Sequence, residues 1–163
     1  MDIILREFIK KDLPQMRMIW NEVVEDGIAF PQMELLSEEE AEDFFGQQSY
    51  NGVAVDAETK ELVGFYVLHP NNVGRCEHIA NGSYAVKRSA RGMHVGERLV
   101  GDSLRRAKEI GFHILQFNAV VRTNYSAIYL YEKLGFTKLG VIPRGFLMKD
   151  GKYEDIILFY KTL

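Results

Sequence analysis

The segment with the clearest chemical potential combines cations with two glycines. Lys87, Arg88 and Arg91 fall close together, and Gly92 and Gly96 follow just before an amphipathic stretch. A loop that enters a helix presents unpaired backbone N–H groups, and the helix dipole favours an anion at that end. Glycines let a ligand approach the backbone, and cations form charge-assisted contacts with phosphate oxygens. The segment therefore indicates a phosphate-bearing ligand, with a solvated strand–helix turn as the structural alternative.

The same segment lacks two common nucleotide-binding motifs. A P-loop has the pattern GxxxxGK[ST], in which Lys and then Ser or Thr follow the second glycine. A dinucleotide site has the pattern GxGxxG. Residues 91–97 read RGMHVGE and match neither motif. Binding of ATP or of a dinucleotide therefore has no specific support.

A second candidate segment, residues 124–136, reads NYSAIYLYEKLGF. Asn124 is placed to cap a helix, and Gly135 is placed to end it. Tyr131 falls on the apolar side of that helix, where a tyrosine is usually a core aromatic and otherwise a candidate proton donor. The predicted buried stripe comprises Ala127, Ile128, Leu130, Tyr131 and Leu134.

The first third of the chain predicts one strand and two helices. The strand begins at Ile3, and the first helix is capped by Asp12 and ends at Gly27. Ser37 and Glu40 form a capping box that starts the second helix. The buried stripe of the first helix comprises Leu13, Met16, Ile19, Trp20, Val23 and Val24.

The segment Ile28–Leu36 between these helices is apolar but has no periodicity. Such a segment is either a packed connection or one wall of a pocket. In the second case Phe30 is a candidate substrate-lining residue.

From Tyr50 onward the hydrophobic pattern takes a period of two, and later strands alternate with helices. Gly82 lies inside the third strand of this series, where a glycine suggests a bulge or a close backbone approach. The predicted strands cover residues 50–56 and 61–70 as a hairpin, then 77–86, 113–121, 136–142 and 153–162, with a helix at 126–135. The helix after the cationic loop has a stripe of Leu99, Val100, Ser103, Leu104, Ala107 and Ile110. This order predicts a mixed α/β sheet.

Composition limits the classes of protein to which the chain can belong. A chain of 163 residues with 47% hydrophobic and 26% charged residues is expected to form one globular domain. A net charge of −3 argues against nucleic-acid binding, and Cys76 as the sole cysteine excludes a disulfide framework or a multi-cysteine zinc site. No apolar run reaches the roughly 18 residues of a membrane span, and no signal peptide is apparent. A cytoplasmic location without membrane or nucleic-acid partners is expected.

The pattern of Arg91, Gly92 and Gly96, followed by a helix, a strand and then residues 124–136, resembles the GNAT acetyltransferase family. The two segments in this order are far more specific than either alone, and the resemblance covers nearly the whole chain. It implies a single domain over residues 1–163, with a mixed, mostly antiparallel central sheet, helices on both faces and a splay between the two central strands. It also implies an enzyme that transfers an acetyl group from acetyl-CoA to an amine, without a metal.

The resemblance further implies roles for individual residues. The amides of the Arg91–Gly96 loop would hold the CoA pyrophosphate, and the strand ending at Val86 would pair with the pantetheine arm. Asn124 would bind near the thioester, and Tyr131 would protonate the leaving sulfur as general acid. The implied acetyl-CoA residues are Tyr84, Ala85, Val86, Arg91, Gly92, Met93, His94, Val95, Gly96, Asn124 and Tyr131. His94 departs from the family pattern, since it stands where the first of two glycines is usual; its side chain either crowds the pyrophosphate or adds a donor.

A closer resemblance, from Phe65 to Gly145, is to the proline-analogue N-acetyltransferases of yeasts, which acetylate small cyclic secondary amines such as azetidine-2-carboxylate. It implies that Asn81 and Asn118 lie at the substrate end and that Asn81 and Asn124 take part in catalysis beside Tyr131. Phosphinothricin-type acetyltransferases are also similar, but they carry a glutamate base where Asn81 falls. A water held by an asparagine is then the expected proton acceptor, whereas the histidines at 69, 78 and 113 are expected to be structural or exposed.

Acetylation of a small amino or imino acid is the preferred function, and two alternatives stay open. One is a non-catalytic GNAT module that senses acyl-CoA or an amino acid, which His94 and the missing carboxylate base favour and Tyr131 and Asn124 disfavour. The other is a protein N-terminal acetyltransferase, because a peptide groove and a small pocket differ only in loops. The oligomeric state is also open, a homodimer included.

Overall fold

The computed structural model describes residues 1–163 and contains one open seven-stranded sheet in the order β1-β2-β3-β4-β5-β7-β6. Its elements are β1 Ile3–Glu7, α1 Leu13–Asp26, α2 Glu38–Gly46, β2 Tyr50–Asp56, β3 Leu62–Pro70, β4 Ile79–Val86, α3 Val95–Glu109, β5 Ile114–Val121, α4 Tyr125–Lys133, β6 Thr137–Leu147 and β7 Tyr153–Thr162. Every neighbouring pair is antiparallel except β4 and β5, which are parallel. The predicted mixed, mostly antiparallel sheet is confirmed.

Helices cover both faces of this sheet, as predicted. Helices α1 and α2 pack against one face through an aromatic core in which the Trp20 ring lies 4.5 Å from Phe30 and 6.1 Å from Phe45. Helix α3 packs against the other face, where Leu99 and Leu115 are fully buried, and α4 lies over the edge of the same core. No helix combines the length and apolarity that crossing a bilayer requires.

The two central strands separate partway along their length, which confirms the predicted splay. Strand β4 pairs with β3 without any shift of register, but it pairs with β5 only from Ile79 to Asn81. Gly82 is the first residue beyond that short parallel ladder. The bulge suggested for Gly82 is therefore absent, whereas the close approach is present, because a Cβ atom there would lie 3.2 Å from the Val67 carbonyl oxygen.

The capping predictions had mixed outcomes. The Ser37–Glu40 box forms, and Gly27 ends α1 with a left-handed φ of 63°. Asp12, however, does not cap α1 with its side chain. Its carboxylate accepts from the Arg6 guanidinium at 2.7 Å and from the Ile9 N–H at 2.8 Å, which fixes the turn before the helix.

Three burial or boundary predictions are corrected by the structure. Ile110 lies beyond the end of α3 and is 45% exposed. The apolar stripe of α4 packs against the core but is only half-buried, and Tyr131 alone of its residues lines the cavity. Strand β4 begins at Ile79 and not at Glu77, since a 3-10 turn at Gly74–Cys76 precedes it.

Candidate active site

A cavity of about 260 Å³ occupies the gap between β4 and β5. Its lining residues are Ala29, Phe30, Pro31, Gln32, His69, Asn81, Gly82, Ser83, Tyr84, Phe117, Asn118, Ala119, Val120, Val121, Asn124 and Tyr131. Six of the site residues predicted from the sequence, from four separate segments, thus meet in one place. The cavity contains no Asp, Glu, Lys or Arg side chain, so its polar character comes from neutral amides, hydroxyls and one imidazole.

The edge of β4 that faces the gap carries unpaired backbone groups. Lys87 donates its N–H to the Val63 carbonyl at 2.8 Å, and Ile79 accepts from the Asn71 N–H at 2.7 Å, so odd-numbered residues of β4 face β3. Backbone direction alternates along a strand. Tyr84 and Val86 therefore direct their N–H and C=O groups into the gap, where an extended ligand could pair with them, whereas the N–H of Gly82 still belongs to the end of the ladder with β5.

The loop after β4 forms a cradle of free N–H donors. No backbone N–H from Gly92 to Glu97 donates a hydrogen bond within the chain, and the first helical bond of α3 runs from the Arg98 N–H to the His94 carbonyl at 3.2 Å. Six successive donors at a helix N-terminus suit an anion with several oxygens. The geometry thus matches the phosphate-binding loop that the sequence indicated.

The cations around this cradle are already paired with carboxylates, which the sequence did not reveal. Arg88 and Arg91 each lie 2.8 Å from an oxygen of Asp26 at the end of α1, and Lys87 lies 2.9 Å from Glu61. Partial burial raises the pKa of the Asp26 carboxyl, but hydrogen bonds from Arg88 and Arg91 outweigh it, and the pKa falls below its usual range. A phosphate at the loop would share these guanidinium groups with Asp26.

His94 occupies a backbone conformation that favours glycine. Its φ is 62° at the position just before α3, which accounts physically for the glycine usual in the family pattern. The imidazole is 84% exposed, and its Nδ1 lies 3.6 Å from the Glu97 carboxylate. The side chain is therefore drawn toward the first turn of α3, and the His94 N–H remains free.

Two tyrosines line the cavity, and they differ in the state of their hydroxyl groups. The Tyr84 hydroxyl lies 2.7 Å from Ser103 Oγ, which donates in turn to the Val100 carbonyl at 2.7 Å. The Tyr131 ring packs 4.5 Å from Phe117, and burial alone, without a hydrogen bond or a charge, raises the pKa of its phenol. Tyr131 is therefore protonated at neutral pH and free to donate.

An amide cluster closes one end of the cavity, and its central residue, Asn71, was missed in the sequence. Asn71 Oδ1 accepts from Asn118 Nδ2 at 2.6 Å and from Asn81 Nδ2 at 3.3 Å. Gln116 Nε2 donates to Asn118 Oδ1 at 3.1 Å. This network fixes the orientation of both cavity asparagines. Asn124 acts separately, since its Oδ1 accepts from the Ala127 N–H at 3.4 Å and caps α4 as predicted.

Some sequence-predicted residues lie outside the cavity. Val95 and Ala85 have buried side chains in the two opposite cores, and the backbone of Ala85 faces β3, so only Tyr84 and Val86 of that trio direct groups into the gap. Met93 is exposed in the loop, and its N–H is its only group in the cradle. Conversely, His69 lines the cavity, although it was expected from the sequence to be structural or exposed. Its position opposite Asn81 in the β3–β4 hairpin is the signal that could have revealed it.

Comparisons with known proteins agree with this geometry. The profile of the Acetyltransferase (GNAT) family matches residues 16–136. N-acetyltransferase aca1 of Schizosaccharomyces pombe is 35% identical over 155 residues, which cover 85% of this chain and 74% of that protein. A GCN5-related N-acetyltransferase structure from Kribbella flavida is 31% identical, covers 99% of this chain and 98% of its own, and superposes with a TM-score of 0.91. A phosphinothricin acetyltransferase from Sinorhizobium meliloti, solved in complex with AcCoA, shares the fold at 23% identity, with a TM-score of 0.92 over 100% of this chain and 89% of its own.

Proposed function

Because the chain belongs to the GNAT acetyltransferase family and is an N-acetyltransferase, we propose that it transfers the acetyl group of acetyl-CoA to the amine of a small amino or imino acid. We further propose that residues 1–163 form one domain that carries the complete reaction. The observation that carries this proposal is the cavity between β4 and β5, in which Asn81, Asn118, Asn124 and Tyr131 meet beside a cradle of free N–H donors.

The free donors suit acetyl-CoA. The N–H groups of residues 92–97 can accept the pyrophosphate, with Arg91 as a nearby guanidinium. The gap-facing groups of Tyr84 and Val86 can pair with the amides of the pantetheine arm. Acetyl-CoA supplies a thioester carbonyl, and this arrangement would bring it to the cavity beside Asn124.

Three kinds of group in this cavity can contribute to acetyl transfer. Backbone N–H donors of β4 that face the gap beyond the ladder, at Tyr84 and Val86, can stabilise the oxyanion that forms when the amine attacks the thioester carbon. The Tyr131 phenol can give its proton to the sulfur as the C–S bond breaks, since burial keeps it protonated. The asparagines hold the amine in line with the carbonyl, which by itself removes much of the barrier.

The character of the cavity supports a compact acceptor. Its volume of about 260 Å³ is near the lower end for ligand pockets, and Phe30 and Pro31 provide an apolar wall. Fixed carboxamides can donate to a carboxylate and accept from an amine. A polyamine would favour carboxylates, and none lines the cavity.

The proposed location is the cytoplasm. An exposed, unpaired thiol at Cys76 is compatible with that reducing compartment.

The test is a screen of free amino acids, cyclic imino acids, polyamines and short peptides for acetyl-CoA-dependent thiol release. We expect azetidine-2-carboxylate or a similar compact zwitterion to react. Asn81→Ala and Asn118→Ala should each lose that activity and retain acetyl-CoA binding, whereas Asn72→Ala, an exposed neighbour, should behave as wild type. A purified protein that acetylates only polyamines or peptide N-termini would contradict the acceptor assignment.

A further inference from the structure

The proposed reaction needs a group that takes a proton from the acceptor, because an ammonium cannot attack a thioester. We propose that His69 is this general base and that its Nε2 atom receives the proton. The proposal rests on the proposed function, since it assigns a role in the same cavity. Neither the family pattern in the sequence nor strand periodicity pointed to this residue.

The position of His69 follows from the register of the β3–β4 hairpin. His69 is the direct partner of Asn81 in the antiparallel ladder. Side chains of directly opposed residues share one face of a sheet, with Cβ atoms about 4.5–5.5 Å apart. Both residues line the cavity, and the imidazole is half-buried there. A group held by Asn81 is thus within reach of the imidazole.

The hydrogen bonding of the ring selects one tautomer. His69 Nδ1 lies 3.0 Å from the Pro70 carbonyl oxygen. A carbonyl oxygen only accepts, so Nδ1 must carry the hydrogen of the neutral ring. The lone pair then resides on Nε2, which is the nitrogen available to a proton from the substrate.

No other side chain of the cavity can take this role. The titratable residues that line it, on all the elements that enclose it, are His69, Tyr84 and Tyr131. Burial raises the pKa of both tyrosines, so they hold their protons at neutral pH. Glu77 is exposed in the turn before β4 and does not line the cavity. His69 is therefore the one side chain of the cavity that offers a ring nitrogen lone pair to the proton.

His69 and Tyr131 together account for the protons that move in the reaction. The ammonium gives its first proton to Nε2 of His69, and the neutral nitrogen forms the C–N bond to the thioester carbon. As the C–S bond breaks, its electron pair stays on sulfur, which takes the proton of Tyr131. The nitrogen then loses a second proton, which replaces the one that Tyr131 gave. His69 returns its proton to water, and the net products are the amide, CoA thiol and one proton.

The pH profile of His69→Gln tests this role, with azetidine-2-carboxylate as the acceptor. In wild type, where the imidazole takes the proton, kcat/KM should vary little between about pH 7 and about pH 10. In the variant the amine must arrive neutral, so kcat/KM should rise about tenfold per pH unit toward the pKa of the amine, about 10. The deficit should be roughly 10²–10³-fold at pH 7 and nearly vanish at pH 10. His78→Gln, an exposed histidine outside the cavity, should match wild type throughout.

A second measurement is independent of turnover. The ¹⁵N spectrum of the imidazole should show Nδ1 protonated and Nε2 bare at pH 8. An Nε2–H tautomer, or a variant whose profile merely runs parallel to wild type, would overturn the role of His69 and leave the proposed function intact. A wild-type protein that releases no thiol with any amine would instead overturn the proposed function, and the base with it.

Discussion

The first and second halves of the sheet differ sharply in how they use their side chains. Strand β3, in the half formed by β1–β4, buries almost every residue, whereas β6, in the half formed by β5–β7, exposes almost every one. The strands of the two halves pair only along the short parallel ladder between β4 and β5. The first half contributes His69 of β3 and Asn81 of β4 to the cavity, and the second half contributes Asn118, Asn124 and Tyr131.

This contrast indicates that stability and chemistry are separable in the molecule. The aromatic core under α1 and α2 has no contact with the gap except at Phe30. The half-buried face of α4 packs against the other core and brings the Tyr131 hydroxyl, which has no partner in the chain, to the cavity. Substitutions in the first core should therefore change the free energy of unfolding, and those at the gap should change binding and turnover.

The largest effect on turnover is expected for Tyr131→Phe. The ring and its packing on Phe117 remain, and the lost hydroxyl has no partner in the chain, so the unfolding midpoint should stay within experimental error. Loss of a general acid should lower kcat by roughly 10²–10⁴-fold. Tyr129→Phe, on the exposed side of the same helix at 70% exposure, is the matched control. Full kcat in Tyr131→Phe would return this tyrosine to a structural role.

The counterpart in the other half is Trp20→Ala. Trp20 is 2% exposed and contacts several aromatic rings of the same core. Its truncation should lower the free energy of unfolding by about 3–5 kcal/mol, measured by urea titration, and should change kcat per folded molecule far less than Tyr131→Phe does, since its only link to the cavity is its contact with Phe30. Met18→Ala, on the exposed side of α1, should have little effect on either quantity. A fall in kcat without a shift of the urea midpoint would contradict the separation of the two regions.

Binding of CoA should depend on the loop between β4 and α3. Arg91→Glu removes a guanidinium beside the free N–H groups and places a second carboxylate next to Asp26. We expect CoA affinity by calorimetry to fall by about 10–100-fold, and added salt to weaken wild-type binding. Arg75→Glu makes the same change of charge in the exposed turn before β4, outside the loop, and should leave the affinity for CoA near that of wild type. Equal affinity for CoA in both variants would contradict the proposal that the loop between β4 and α3 binds CoA.

The smallest effect is expected at Asn71, which positions the two cavity asparagines. Asn71→Leu removes one acceptor shared by Asn81 and Asn118, and the KM for the amine should rise by about 5–10-fold with CoA affinity unchanged. Asn71→Asp keeps the acceptor oxygen and should restore a KM near wild type. A KM in Asn71→Asp as high as that in Asn71→Leu would mean that Asn71 acts as a hydrogen-bond donor or does not position the asparagines at all.

Most of the fold and half of the site follow from local sequence patterns. The capping box at Ser37, the left-handed stop at Gly27 and the hairpin of β2 and β3 are local, and the structure has each of them. Asn124 and Tyr131 were also identifiable, because their segment carries a recognisable spacing. These features depend on residues within a few positions of one another.

The rest depends on contacts between distant segments. Asp26 pairs with Arg88 and Arg91 across more than sixty residues, and no local pattern marks that pairing. Asn71 becomes the centre of the amide cluster only because the β3–β4 hairpin returns Asn81 beside it. Asp12 looked like a helix cap because local rules favour aspartate there, but the guanidinium of Arg6 provides a stronger partner.

The central claim is that acetyl-CoA enters the gap between β4 and β5. Residue-resolved amide hydrogen exchange, with and without acetyl-CoA, tests it most directly. We predict new protection at Tyr84 and Val86 and at residues 92–97, with no change at Ser83 and Ala85, which already face β3. Protection confined to another surface, such as the groove lined by Phe8 and Leu13, or no protection at saturating acetyl-CoA, would contradict the account.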